Sequence, residues 1–253
     1  MNSSALEHVE PLAAGGTLAD RQAGWTQAEA GIEIPRYLRK HYWAFYGHPL
    51  AVRVFERPWL VNLILWGWYR ALGNAAVNEM GESLPGQSLQ VACVYGDLTE
   101  RLAERVPEGS RLDVVDVLPA QLANLRAKLK PGAPVRVMRM NSADLQFRDA
   151  SYDGVLLFFL LHEMPVEVRI KTLSEALRVA KPGAKVVLVE FARPVPWHPL
   201  RFLWHPPLWF LEPFAPDLWR NPVETWLPPS HRDRIVSRET FFGGFYQKVV
   251  IEA

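Results

Sequence analysis

Between residues 89 and 191 short apolar runs alternate with stretches of helical character, and that alternation leaves few architectures open. The pattern predicts strands over Leu89–Val94, Leu112–Asp116, Val135–Met140, Gly154–Leu161 and Lys185–Phe191, with helices over Leu98–Arg105, Ala120–Leu129 and Val166–Val179. Strands separated by helices connect through right-handed crossovers, so the expected fold is α/β with a mostly parallel, doubly wound sheet. Ligands on such a sheet bind at the carboxyl ends of the strands.

Elements flank this unit on both sides. From Tyr37 to Met80 the chain is rich in aromatics and leucines, and Leu60, Ile64, Trp68 and Leu72 keep helical spacing after Pro58. This predicts a helical part over residues 37–82. Pro194 to Pro229 holds ten of the 21 prolines and cannot be one regular helix, so short helices and turns are expected there as a cover over residues 194–229. A Gly243-Gly244 turn then precedes a last strand, Phe245–Glu252, that closes the sheet. Residues 37–253 read as a single α/β domain. Residues 1–36 read as a mobile tail, with neither signal- nor transit-peptide pattern at its start.

The stretch Leu89-Gln-Val-Ala-Cys-Val-Tyr-Gly-Asp97 sits where a nucleotide-binding fold keeps a glycine-rich loop, but most of the glycines are gone. Gly96 keeps the tight turn, and small residues at a strand-to-helix junction let a ligand approach the backbone. Asp116 ends the next strand about twenty residues on, the spacing of a carboxylate that holds a ribose; helix capping is its alternative, since Pro119 opens a helix. The frame is that of an S-adenosylmethionine (SAM) site, with Gln90, Ala92, Gly96, Asp116, Val117, Asn141 and Ser142 as cofactor-binding candidates. Asn141 and Ser142 stand where adenine is read. Tyr95 adds a phenol to the loop, and Asp97 is either a carboxylate at the site or a helix cap. His162 and Glu163 follow an apolar strand directly. They are candidates for acid–base work or metal binding, with His162 and Tyr95 the catalytic pair to test.

The formal charge of +1 argues against a nucleic-acid partner. Cys93 is the only cysteine, which excludes an internal disulfide and a cysteine metal cluster and fits a reducing cytoplasm. No apolar run approaches the about 20 residues of a membrane span. Ten tryptophans are an excess, and five of them, Trp197, Trp204, Trp209, Trp219 and Trp226, fall in the proline-broken segment.

Several motifs carry a resemblance to a known family. Lys181-Pro-Gly183 and Val189-Glu-Phe-Ala-Arg-Pro194 resemble the quinone C-methyltransferases among the class I SAM-dependent methyltransferases, of Rossmann-like fold. The chain is still more similar to the rhodoquinone biosynthesis (RquA) family, in Val52-Arg-Val-Phe-Glu-Arg57, Val91-Ala-Cys-Val-Tyr-Gly-Asp97, Leu112-Asp-Val-Val-Asp-Val-Leu-Pro119, Phe158-Phe-Leu-Leu-His-Glu163, Leu211-Glu-Pro-Phe-Ala215 and Phe242-Gly-Gly-Phe-Tyr-Gln-Lys248. The resemblance implies conversion of ubiquinone to rhodoquinone, a ring methoxy group giving way to an amino group, with SAM as amino donor and Mn(II) in support. Asp97, His162 and Glu163 are the metal ligands to test under that implication. A membrane-dissolved substrate gives the tryptophans a role at the inner face of the membrane, as peripheral anchors; a core cover or subunit contact is the alternative. A conventional quinone or phenol methyltransferase, and a non-catalytic quinone-binding protein, are the rival readings.

Overall fold

The computed structural model describes residues 31–47, 49–199 and 212–253. Four helical segments come first: α1 (Leu38–Gly47, wide-pitched), α2 (Pro49–Phe55), α3 (Pro58–Ile64) and α4 (Tyr69–Met80). Then follow β1 (Gln87–Val91), α5 (Leu98–Ala103), β2 (Arg111–Asp116), α6 (Pro119–Lys128), β3 (Val135–Arg139), β4 (Tyr152–Phe158), α7 (Val166–Val179) and β5 (Ala180–Phe191). The chain closes with α8 (Pro216–Arg220), two short 3-10 turns, β6 (Ile235–Phe241) and β7 (Tyr246–Glu252).

Seven strands form one sheet in the order β3-β2-β1-β4-β5-β7-β6. Pairing is parallel from β3 to β5, and β7 runs antiparallel between β5 and β6. The central strands are apolar on both faces because helices cover both: Val155, Leu156 and Leu157 of β4 and Val186 to Val189 of β5 are fully buried. The strand order reverses between β1 and β4, which opens a crevice at their carboxyl ends.

The sequence reading closes the sheet with one strand, whereas the structure closes it with a hairpin. Ile235–Phe241 pairs along β7 and is mostly exposed, so it carries no apolar alternation to betray it. Gly243 and Gly244 form the hairpin turn at φ +60° and +85°. The Pro/Trp segment consists of short helices and turns over its described part. Trp219 and Trp226, however, belong to the core: Trp219 packs edge-on to Phe245 at 5.4 Å, and the Arg169 guanidinium lies 4.3 Å over the Trp226 ring. Trp204 and Trp209 lie outside the described residues, as does most of the tail.

Candidate functional site

A cavity with about 650 Å³ of empty space, open solvent at its mouth included, lies at the carboxyl edge of the sheet. Each strand end contributes to its wall: Ala92 and Cys93 after β1, Asp116 and Val117 at the end of β2, Asn141 and Ser142 after β3, and Leu160 and Glu163 after β4. Tyr37 and Leu38 roof it, because Leu38 and Tyr42 pack against Leu118. Ala92 turns the chain at φ +75°, a left-handed conformation that a side chain disfavours. That strain sits where the backbone meets the cavity.

Asp116 is held by the backbone it faces. Its Oδ2 accepts the Cys93 N–H and its Oδ1 the Leu118 N–H, both at 2.8 Å. Burial pushes its carboxyl up to about 6, against the pull of those N–H donors. The Val117 N–H and the Cys93 thiol also donate to this carboxylate, which lines the cavity and presents its oxygens to the hydroxyls of a ribose diol. Asn141 uses its side-chain oxygen on the Ala143 N–H at 3.0 Å, which leaves its NH₂ as the donor toward an adenine acceptor; Ser142 shares a hydrogen with Thr172 at 3.1 Å. These residues fit SAM.

The rebuilt loop divides its labour differently from the sequence expectation. Gln90 is fully buried and does not reach the cavity: its amide donates to the Ala92 carbonyl and accepts from the Thr99 hydroxyl, both at 3.0 Å. It braces the strained turn. Gly96 also points away from the ligand space. Its N–H donates to Glu56 Oε1 at 3.0 Å, its carbonyl accepts from Lys128 Nζ at 2.6 Å, and a Cβ there would meet the Tyr69 hydroxyl at 2.3 Å. Lys128 and Asn124 complete the clamp on Glu56, at 2.7 and 2.6 Å. Asp97 opens α5 without a capping side-chain bond; it accepts from the Tyr69 hydroxyl at 3.0 Å instead. Of the loop side chains, Tyr95 does face the cavity. Its hydroxyl accepts from Gln121 at 2.7 Å, its ring stacks on Phe55, and burial drives its pKa far up, so it serves as a phenol and never as a phenolate.

His162 lies just behind the wall that Glu163 forms. Its Nδ1 meets Glu190 Oε1 at 3.0 Å, and its Nε2 faces Glu163 at 3.8 Å and Glu212 at 4.0 Å. Glu190 is fully buried and also accepts the N–H groups of Leu161, His162 and Phe191. Burial by itself would lower the imidazole pKa, but the Glu190 carboxylate, aided by Glu212 and Glu163, raises it to about 9. The carboxylates around the ring thus favour its imidazolium form, which donates a proton or holds a charge.

Of the three metal candidates His162 and Glu163 lie side by side, and Asp97 does not join them. Asp97 is tied to Tyr69, whereas the His162 Nε2 lies 3.8 Å from Glu163 and 4.0 Å from Glu212. Among the described residues no three or more His, Cys, Asp or Glu side chains are placed to hold a metal ion. This donor set does not fit Mn(II).

Comparison with known proteins extends the geometry. Residues 89–183 match the family described as "Methyltransferase domain". The UbiE ubiquinone/menaquinone biosynthesis C-methyltransferase of Idiomarina loihiensis is 29% identical over 137 residues, 53% of this chain and 54% of that protein. The demethylmenaquinone methyltransferase of Thermus thermophilus is 33% identical over 120 residues, 47% of this chain and 53% of that protein. This chain thus spans about half the length of the curated relatives it matches. Among solved structures, a SAM-dependent methyltransferase from Aquifex aeolicus superposes with a TM-score of 0.52 at 19% identity, covering 81% of this chain and 97% of that one. The mitomycin 7-O-methyltransferase MmcR superposes with a TM-score of 0.60 at 14% identity, covering 84% and 60%. With its mostly parallel seven-strand sheet and its cavity at the carboxyl edge, the chain has the Rossmann-like fold of the SAM-dependent methyltransferases.

Proposed function

We propose that the protein is a SAM-dependent transferase acting on a membrane quinone, and that it replaces a ring methoxy group of ubiquinone with an amino group. The observation that carries the finer reading is the cofactor loop: in place of open glycine backbone it presents the Tyr95 phenol to the cavity, and Glu56 occupies the Gly96 N–H. The substrate class is supported by the quinone methyltransferases among the relatives, and the amino transfer by the resemblance to the rhodoquinone biosynthesis family.

SAM supplies the transferred group. Asp116 and Asn141 orient its ribose and adenine, while Phe159, Leu160 and Met164 offer the apolar wall that keeps water from a quinone ring. An amine attacks only when deprotonated, and Glu163, which lines the cavity, can accept that proton and return it to the departing methoxide, which leaves as methanol; cleavage of the nitrogen's bond to the donor's α-carbon then completes the transfer. Tyr95 can hold a quinone carbonyl by donating its phenolic hydrogen. Tyr95→Phe is therefore expected to lower turnover by roughly 10²–10⁴-fold with SAM affinity kept, read by steady-state kinetics beside calorimetry. Proportional loss of both would reduce Tyr95 to a wall residue.

C-methylation is the second reading, favoured by what the relatives are named for. Mass spectrometry separates the two. Purified protein is given SAM with short-tailed ubiquinone in one arm and a quinone lacking the ring methyl in the other, each with and without Mn(II). The proposal expects a lighter, nitrogen-containing product from ubiquinone; a quinone heavier by one methyl, together with S-adenosylhomocysteine, would replace it with the second reading.

A further inference from the structure

Among the described residues, exposed large apolar side chains concentrate on and beside α3. Trp219 and Trp226 are buried, whereas Val54, Trp59, Leu63 and Ile64 are exposed at 48%, 61%, 64% and 42% within eleven consecutive residues. Single exposed apolar residues are ordinary, but a contiguous run marks an interaction surface. Trp59 and Leu63 stand four residues apart on α3 and so share one face.

The charge on this face is basic. Glu56 is the sole acidic residue between positions 34 and 78, and its carboxylate is turned inward onto Lys128 and the Gly96 N–H. Arg53 and Arg57 beside it are exposed. Exposed tryptophan and leucine bordered by arginine is the pattern that enters the headgroup region of an anionic bilayer.

The same face leads into the cavity. Phe55 follows exposed Val54 directly and stacks on Tyr95, a wall residue, with ring centroids 6.1 Å apart. After α3, Trp68 packs on Phe242 at 5.6 Å, and Phe242 packs on His198 at 4.8 Å, next to Trp197, which is 80% exposed. Trp197 is thus tied through His198, Phe242 and Trp68 to the chain that follows α3.

We infer that α2 and α3, together with Trp197, form the surface that docks the protein on an anionic lipid bilayer, so that an apolar substrate passes from the lipid along Val54 and Phe55 to the cavity at Tyr95. The passage rests on the proposed membrane-quinone substrate; the docking does not. Both are tested with the full chain and two vesicle types, phosphatidylcholine alone and phosphatidylcholine with phosphatidylglycerol. Wild-type protein is expected to co-sediment preferentially with the anionic vesicles. Trp59→Ser combined with Leu63→Ser should reduce that partitioning by roughly tenfold or more, the scale of two apolar side chains kept out of the interface. Arg53→Glu combined with Arg57→Glu should abolish the preference for phosphatidylglycerol.

Unchanged SAM affinity in both variants checks that they fold. Turnover of a tailless quinone should also stay at the wild-type level, while the apparent KM for a long-tailed quinone in vesicles rises. Undiminished vesicle binding by the Trp59/Leu63 variant overturns the inference. A change of oligomeric state with vesicle binding intact does so too, and assigns the face to a second copy of the chain. Loss of binding only on Trp204→Ser with Trp209→Ser moves the anchor to the proline-rich segment. Failure of quinone turnover in wild-type protein, with the vesicle results as expected, would remove the proposed function and leave the docking surface standing.

Discussion

Asp116→Ala is expected to weaken SAM binding by roughly 10²–10⁴-fold, since two charge-assisted hydrogen bonds at about 1.5–3 kcal/mol each are lost. The geometry makes this separable from folding. Asp116 already accepts the Cys93 and Leu118 N–H groups, so Asp116→Asn, which keeps a carbonyl for one of them, should preserve the loop better than alanine while still losing affinity. The pH dependence gives an independent signature. With its carboxyl at about 6, above the ordinary aspartate value, Asp116 favours the folded state at low pH, and that contribution is lost as pH rises through about 6. SAM binding runs the other way, because ribose hydroxyls donate to the carboxylate: affinity should fall as pH drops through about 6, and this fall should vanish in Asp116→Asn. Isothermal titration calorimetry on either side of pH 6 reads both effects. Wild-type affinity in a folded Asp116→Ala variant would make Asp116 a brace for the Cys93 turn and nothing more.

The sheet was legible because its parallel strands are buried on both faces and therefore appear as unbroken apolar runs, such as Val155 to Phe158 and Val186 to Val189. β6 was not, because an exposed edge strand like Ile-Val-Ser-Arg-Glu-Thr-Phe obeys no burial pattern. The site divides along the same line. Asp116, Asn141, Ser142 and Glu163 could be found because parallel topology delivers strand ends to one edge. Spacing cannot say which partner takes the Gly96 N–H, and here the partner is Glu56, 40 residues upstream. Lys128 clamps that same carboxylate from 72 residues away. Glu190 was overlooked as a site residue for the opposite reason: a lone acid in an apolar strand gives no hint that it is the most deeply buried carboxylate beside the cavity. Its partner His162 stands out in the sequence as an acid–base or metal candidate, but the Glu190 carboxylate that raises its pKa does not.

Glu190→Leu should destabilise the protein by about 3–5 kcal/mol, the scale for removing one member of a buried ion pair. Leucine fills the space but accepts nothing, so the N–H groups of Leu161, His162 and Phe191 and the His162 ring all lose their acceptor. The deficit should depend on pH in a defined direction. In the native protein the His162 pKa is raised to about 9, so its contribution is fully present below the ordinary imidazole value near 6.5 and is lost as pH rises through about 9. In the variant the buried ring keeps only Glu163 and Glu212, at 3.8 and 4.0 Å from Nε2, so its pKa falls from about 9 and its stabilising contribution in acid shrinks. The gap between the two proteins should therefore be widest in acid and narrowest above pH 9, where the backbone donors and the neutral ring's hydrogen bond to Glu190 still separate them. Urea denaturation across that range measures it. A gap independent of pH would mean that His162 is neutral in the native fold, and its availability as a proton acceptor would be restored.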